Sequence, residues 1–409
     1  MITVAEARQL IADHITIMEP EVVPLAQCAG RVLTDNVLAR LNQPLFDNSA
    51  MDGYAVRAAD LEGASKAEPV ALPLAGTIAA GAEATSELGI GECQQIMTGA
   101  PLPVGADAVV MVEATSGFEN DPVEFYQAPQ VGQDIRRKGE ETAAGELLFA
   151  EGHRLRAFDL GVIANHGITR LNVFRRPRVT IINTGNELRD PGETIEPGQI
   201  YNSNKYTLPG LVAPGVGEVV GLLTVDDNGT NLQTALNNAL ERSDIVVTTG
   251  GVSMGRYDQV RSLLSELGVD EVFWKIQQKP GKPLYFGKRD NILVFGLPGN
   301  PVSVLVTFME YVWPVLFRLQ GVAEPPPLKA TLAAQFPRDN IKHRFLPGRM
   351  WQEDGHLLVR PSGKLGSHML SSVADANVIL SAGPGTGSLE AGKEILARLL
   401  PGAEIGTRA

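Results

Sequence analysis

Residues 178–321 constrain the fold more than any other part of the chain, because they repeat strand, turn and helix in a rhythm that suits a parallel sheet. β-Prone runs at 179–183, 219–224, 245–249, 272–275 and 292–297 are interleaved with helical patterns at 231–240, 258–267 and 301–319. This order predicts a mostly parallel sheet with helices on both faces, a three-layer α/β domain. Three of the strands end in glycine-rich turns: Thr184-Gly185, Thr249-Gly250-Gly251 and Pro298-Gly299-Asn300-Pro301. Ligands of open parallel sheets bind at the carboxyl ends of strands, where glycine admits close backbone approach and free N–H groups face an anion. One such turn is equally well a tight turn, but three on one sheet edge point to a site. Neither GxxxxGK[ST] nor GxGxxG is present, which removes the main support for P-loop and dinucleotide-binding readings.

The rest of the 409 residues divides around this module, and the length suggests two or three domains. Residues 1–18 form an N-terminal segment whose 3–18 stretch has helical spacing, opened by a Thr3-x-x-Glu6 capping box. Residues 42–149 switch to short β-prone runs split by Gly and Pro, a β-rich insertion. Helical character returns at 158–166, with residues 29–37 as its expected partner across the insertion, so 19–41 and 150–177 read as one discontinuous helical and linker domain. The α/β domain is assigned to 178–324, and the proline run 325–327 opens a C-terminal β domain at 325–409. The predicted fold class is therefore α/β and β multidomain.

Carboxylates gather at the glycine turns. Glu187 follows the first, Asp226 and Asp227 follow the second strand, and Asp258 follows Gly250-Gly251. Magnesium takes a few carboxylates together with substrate phosphate oxygens, and this set suits it; helix capping is the plainer alternative for Asp258. Residues 272–289 hold Lys275, Lys279, Lys282, Lys288 and Arg289 with no acid among them. Within that stretch Lys279-Pro280-Gly281-Lys282-Pro283 sets two ammonium groups on a proline-bounded turn suited to phosphate or another oxyanion, unless it is only a solvated face. Two insertion loops are also dense in functional groups: residues 44–56, with Asp47, Asn48, Ser49, Asp52 and Tyr54, and residues 134–141, DIRRKGEE. In the C-terminal segment Arg344, Arg349, Ser367 and His368 are polar enough to line a cleft.

Several classes are disfavoured. Cys28 and Cys93 stand alone and the six histidines lack metal-ligand spacing, so neither a zinc site nor a disulfide framework is expected. A net charge of −12 argues against nucleic acid, which requires a basic surface. No secretory pattern opens the chain, and its most apolar run, 302–317, is interrupted by Glu310 and Pro314, so a cytoplasmic protein without a membrane span is expected. Gly251-Val252-Ser253-Met254-Gly255 matches the GxSxG of serine hydrolases, with His343, His356 and His368 downstream, but no HGGG-type oxyanion loop precedes it.

Taken together, the stretches FDNSAMDGYAV (46–56), IMTGAPLP (96–103), IRRKGEE (135–141), NTGNEL (183–188), TTGGVSMGRYD (248–258), KPGKP (279–283) and GLPGNPVS (296–303) resemble the MoeA family of molybdopterin molybdenumtransferases, whose eukaryotic relatives include the gephyrin E-domain. The resemblance runs in family order over nearly the whole chain. It implies that 178–324 binds molybdopterin, and that the protein is a homodimer whose active site joins the α/β domain of one subunit to the insertion of the other. It also implies a reaction in which adenylylated molybdopterin and molybdate, with magnesium as cofactor, yield AMP and molybdenum on the dithiolene sulfurs. Transient partners would be the adenylyltransferase upstream and molybdoenzyme maturation proteins downstream; receptor-type scaffolding is a second role known among the relatives. By this resemblance Asp52, Glu187, Asp258, Lys275 and Lys279 are the catalytic candidates. Thr98, Arg136, Glu141, Thr184, Gly250, Gly251, Ser253, Lys282, Pro298, Gly299 and Asn300 would bind substrate, and Glu187, Asp226 and Asp258 would hold the metal. Asn186 stands where the family often has Asp, which removes one charge beside Glu187.

Overall fold

The chain separates into two compact units, one of residues 24–27 and 35–171, the other of 1–23, 28–34 and 172–409. The computed structural model describes all residues except 82–86, 213–215, 227–228, 252–258, 364–365 and 408–409. Among the described residues no helix is long and apolar enough to cross a membrane.

The chain begins with α1, Val4–Ala12. Its capping box forms as expected: Glu6 N–H donates to Thr3 Oγ1 at 3.2 Å, and Thr3 N–H donates to Glu6 Oε2 at 2.8 Å. The helix is shorter than residues 3–18 predict. Tertiary contacts claim the end of that stretch, where Met18 N–H bonds the Leu319 carbonyl at 2.7 Å.

The smaller unit is built on a four-stranded sheet of β1 (Gly53–Val56), β2 (Leu74–Ile78), β3 (Cys93–Ile96) and β4 (Ala108–Met111), in the order β2-β3-β1-β4. Glycine at 53 is a steric requirement, since a Cβ there would lie 2.0 Å from the Val110 carbonyl oxygen. One face buries Tyr54, Val56, Cys93 and Val110 with Leu61, Leu72 and Phe125. Helix α2, Ala157–Asn165, matches the expected helical stretch. Residues 29–37 do not form its helical partner. Leu33 instead bridges Val173, and Val37–Leu38 pairs with Leu147–Phe149. Gly30, at φ 74°, turns the chain in the left-handed region, and the β-branched Val32 and Val37 favour extended chain beyond it.

In the larger unit, β5 (Arg178–Thr184), β6 (Glu218–Val225), β7 (Ile245–Thr249), β8 (Asp270–Trp274), β9 (Tyr285–Arg289) and β10 (Ile292–Leu297) form one sheet ordered β6-β5-β7-β10-β9-β8. The first four in that order are parallel, as the rhythm predicts. Strand β9, hidden within the basic stretch, is antiparallel to both β10 and β8. The two-residue side-chain period feeds two cores. Val179, Ile181, Val247 and Phe295 face α1, α3 (Asn204–Val212) and the helical run 301–318, while Ile182, Val246 and Val294 face α4 (Gly229–Arg242) and α5 (Gln259–Glu266). Pro209 and Gly210 mask α3 in the sequence, but burial of Leu208, Leu211 and Val212 outweighs their poor helix propensity. The run 301–318 consists of α6 (Pro301–Thr307), a π-helical segment (Phe308–Val312) and α7 (Trp313–Arg318).

The C-terminal strands β11 (Leu328–Leu332), β12 (His343–Glu353), β13 (His356–Pro361), β14 (Val378–Ala382) and β15 (Glu394–Leu399) close into a small barrel, ordered β12-β13-β11-β15-β14 and back to β12. Closure leaves no free edge among these strands. Met350, Val359, Leu380 and Ala397 fill its core.

Asp244 ties the entrance of β5 to that of β7. It accepts from Arg175 Nη1 and Nη2 at 2.7 and 3.0 Å and from Arg178 N–H at 2.7 Å. Burial opposes ionisation of this carboxyl, but the Arg175 and Arg178 bonds outweigh it and hold its pKa below the usual range. A depressed carboxyl contributes stability above its unfolded pKa, near 3.9, and that contribution disappears as pH falls through the lower folded value. Asp244→Ala is therefore expected to cost about 2 kcal/mol at neutral pH, below the full figure for a buried pair because the carboxylate keeps some water contact. Denaturation midpoints measured against pH should show the gap to wild type closing below about pH 4.

Candidate functional site

The three glycine turns converge. Gly250 and Gly251 take φ values of 85° and 62°, and a Cβ on Gly250 would lie 2.6 Å from the Thr184 carbonyl oxygen. The end of β7 is thus laid directly on the end of β5, an approach open only to glycine. Thr184 Oγ1 donates to the Thr249 carbonyl, and Gly250 N–H donates to the Leu297 carbonyl at 3.2 Å. At Gly299 a Cβ would sit 3.8 Å from Gly250 Cα, so the third turn lies beside the second with space for one methyl between them. Asn204, at the start of α3, donates to the Gly299 carbonyl at 2.9 Å and closes the group.

A hollow of about 320 Å³ opens over these turns, lined by Thr184, Glu187, Gly250, Gly251, Pro298, Gly299 and Asn300 together with Asn202 and Asn204. The Glu187 carboxylate folds over Gly185, where a Cβ would fall within 2.6 Å of it. Asp226 lies elsewhere, in an open hollow beside α4, where its two oxygens accept from Asn231 Nδ2 at 3.2 and 3.3 Å. Asp258 and Ser253 lie outside the described residues, as does Asp227. Among the described residues no three His, Cys, Asp or Glu side chains assemble a metal cage. Glu187 is the one carboxylate among the described residues that line this hollow, a donor set that fits a magnesium ion only if substrate phosphates and water supply its other ligands, as this ion commonly allows.

A second hollow, of about 550 Å³, shares Pro283, Pro298 and Asn300 with the first. Lys279 and Lys282 line it from the α/β side, and Lys342 and Arg344 from β12 and the residue before it. Arg344 is only 8% exposed and its Nε has no hydrogen-bond partner among the described residues, so it presents uncompensated donor capacity beside the hollow. Burial pushes its pKa down, and the opposing pull of the Asp339 carboxylate is too weak to cancel it. Asn300 Nδ2 bonds Ser367 Oγ at 3.2 Å, and His368 completes the wall. Lys275 lines neither hollow. It follows β8 with φ 69°, and its ammonium lies 3.5 Å from the centre of the Trp274 ring.

In the smaller unit the two dense loops meet one another. Ala50 N–H bonds the Asp134 carbonyl and Gly139 N–H bonds the Pro44 carbonyl, at 2.9 and 3.0 Å. Asp47 accepts from Arg137 Nη1 and Lys138 N–H, and Arg136 lies opposite Asn48 in a two-stranded ladder. Glu141 is exposed, with its N–H on the Gln43 carbonyl at 3.0 Å. Thr98 donates to Asp52 Oδ1 from its N–H at 2.7 Å and from its hydroxyl at 2.8 Å. Those two bonds hold the exposed Asp52 carboxyl below its usual pKa.

Of the C-terminal residues singled out in the sequence, Arg344, Ser367 and His368 reach the second hollow, whereas Arg349 lies in a separate hollow on the barrel. His343 bonds Ser381 Oγ at 2.8 Å and stacks on Phe345, with burial pushing its pKa down to about 4. Asn204 and Lys342 were not anticipated. The Asn-Ser-Asn run at 202–204 carries the composition of a helix start, a signal that becomes readable only once α3 is known.

Three family descriptions match successive parts of the chain: the MoeA N-terminal region (domain I and II) over residues 2–167, a probable molybdopterin binding domain over 180–318, and the MoeA C-terminal region (domain IV) over 329–400. A molybdopterin molybdenumtransferase of Haemophilus influenzae is 34% identical over 400 residues, covering 97% of this chain and 98% of that protein. Molybdopterin molybdenumtransferase 2 of Mycobacterium tuberculosis is 38% identical over 389 residues, 93% of this chain and 95% of that one. The crystal structure of a molybdopterin biosynthesis MoeA protein from Pyrococcus horikoshii superposes with a TM-score of 0.82 at 32% identity, covering 98% of this chain and 100% of that one. With all three regions in order and such identity along nearly its whole length, the chain belongs to the MoeA family of molybdopterin molybdenumtransferases.

Proposed function

We propose that the protein inserts molybdenum from molybdate into adenylylated molybdopterin and releases AMP. The observation that carries this reading is the shared wall between a glycine-turn hollow suited to phosphate and a cationic hollow suited to a tetrahedral oxyanion. Such adjacency holds both reactants within reach of one another, which is where much of a two-substrate rate enhancement originates. In this reading Thr184, Gly250, Gly251, Pro298, Gly299 and Asn300 hold the phosphate end of the pterin. Lys279 and Lys282, with Arg344, offset the charge of molybdate. Magnesium, when bound, polarises a phosphoryl oxygen, and Glu187 is the carboxylate assigned to it. The same reading includes a homodimer, a cytoplasmic location, and brief contact with the enzyme that supplies the adenylylated pterin and with proteins that receive the product. Asp52, Thr98, Arg136 and Glu141 belong to it as further substrate-handling groups on the insertion loops.

Purified protein incubated with adenylylated molybdopterin, molybdate and magnesium is expected to release AMP and yield a cofactor that activates an apo-molybdoenzyme. Absence of both, under conditions where a known insertase works, would refute the assignment. Two variants should separate the hollows. Lys282→Ala removes a charge-assisted contact and should raise the molybdate concentration for half-maximal rate by roughly tenfold or more. Glu187→Gln should instead raise the magnesium requirement and leave molybdate dependence nearly unchanged. Identical profiles for the two variants would contradict the division of roles.

A further inference from the structure

The lysine turn is held from behind by a buried hydrogen-bond relay. Gln278 immediately precedes the turn and is 1% exposed. Its Nε2 donates to the carbonyls of Pro280 and Gly281, at 3.0 and 3.2 Å, so both amide hydrogens are used on the turn. Its Oε1 accepts from the hydroxyl of Tyr311 at 2.5 Å. Tyr311 is equally buried, and burial keeps its hydroxyl protonated far above neutral pH, so it is a permanent donor. That donor fixes which end of the Gln278 amide faces the turn. With the oxygen held by Tyr311, only the NH₂ group can point at Pro280 and Gly281.

The helical run 301–318 carries the relay. Ser303, Thr307 and Tyr311 recur every four residues and address the same turn: Ser303 lines the cationic hollow, and Thr307 Cγ2 would lie 2.5 Å from a Cβ at Gly281. Tyr311 sits in the π-helical segment, a local widening common near functional sites. Its neighbour Glu310 is turned instead toward Arg8 and Arg398.

We infer that Tyr311 and Gln278 are positioning residues that set the lysine turn for oxyanion binding, by way of the Tyr311–Gln278–turn hydrogen bonds seen here. Tyr311 does not line the hollow; Gln278 borders it, but its amide is spent on Tyr311 and on the turn. The inference rests on the reading of the Lys279–Lys282 hollow as the molybdate pocket.

The test uses the full-length protein, with molybdate binding measured calorimetrically beside steady-state kinetics and thermal unfolding. Tyr311→Phe removes only the donor, and it is expected to weaken molybdate binding roughly three- to tenfold, the scale of one neutral hydrogen bond. Turnover at saturating molybdate and affinity for the adenylylated pterin should stay within about twofold, a KM effect without a kcat effect. Gln278→Leu should weaken molybdate binding further, and adding Tyr311→Phe to it should change nothing more, because the tyrosine acts through the amide. Gln278→Glu keeps the shape and removes the two donors, and it serves if the leucine variant does not fold. Unchanged molybdate affinity in Tyr311→Phe, a loss confined to melting temperature, or additive effects in the double variant would overturn the inference. Lys282→Ala is the control: if it binds molybdate as wild type does, the pocket assignment itself fails, whereas a weakened Lys282→Ala beside an unaffected Tyr311→Phe refutes the relay alone.

Discussion

The contact between Gly250 and the end of β5 is the constraint on which the site in the larger unit depends. With a Cβ excluded by the Thr184 carbonyl, the β7 turn lies flat on its neighbour, and Gly299 can then come up beside Gly250. Each strand end brings its own polar cargo: Glu187 beyond β5, Thr249 at β7, Asn300 beyond β10. A side chain at 250 would part the strand ends, and the hollow would lose its floor before any polar group was altered.

Charge is arranged as a local exception within an acidic protein. Lys279, Lys282, Lys342 and Arg344 meet at one hollow, and two of them come from the segment around the start of the barrel strand β12, far along the chain. Collecting like charges costs stability, most of all at Arg344, which is nearly buried and has no carboxylate within ion-pair distance among the described residues. That cost is explicable if a bound oxyanion offsets it, as ligand-binding surfaces commonly retain groups that fold less comfortably than they bind.

Much of this was legible in the sequence because glycine and proline carry positional meaning. The turns at 185, 250–251 and 299 could be placed on one sheet edge from the strand order alone, and the capping box at Thr3 and Glu6 marked the first helix start. What escaped detection depended on tertiary context. Helix α3 contains Pro209 and Gly210 and is rescued by burial of Leu208 and Leu211, which no local propensity announces. Strand β9 is short and rich in Gly, Lys and Arg, so its charges concealed its pairing. The contribution of Lys342 and Arg344 could not be foreseen without knowing that β12 passes beside the lysine turn. Lys275 shows the converse, since proximity in sequence to Lys279 and Lys282 did not bring it into their hollow.

Gln278 and Lys279 form a short parallel ladder with His343 and Arg344, so the lysine turn is hydrogen-bonded to the barrel as well as to its own sheet. The unit of exchange in a chimaera between relatives is then not the barrel alone. A foreign barrel grafted at the proline run would arrive with a β12 that never evolved beside this turn, and the mismatch would surface in the cationic hollow rather than in either core. Recombination that respects the ladder would carry residues 276–283 together with β12, although some sixty positions of chain separate them.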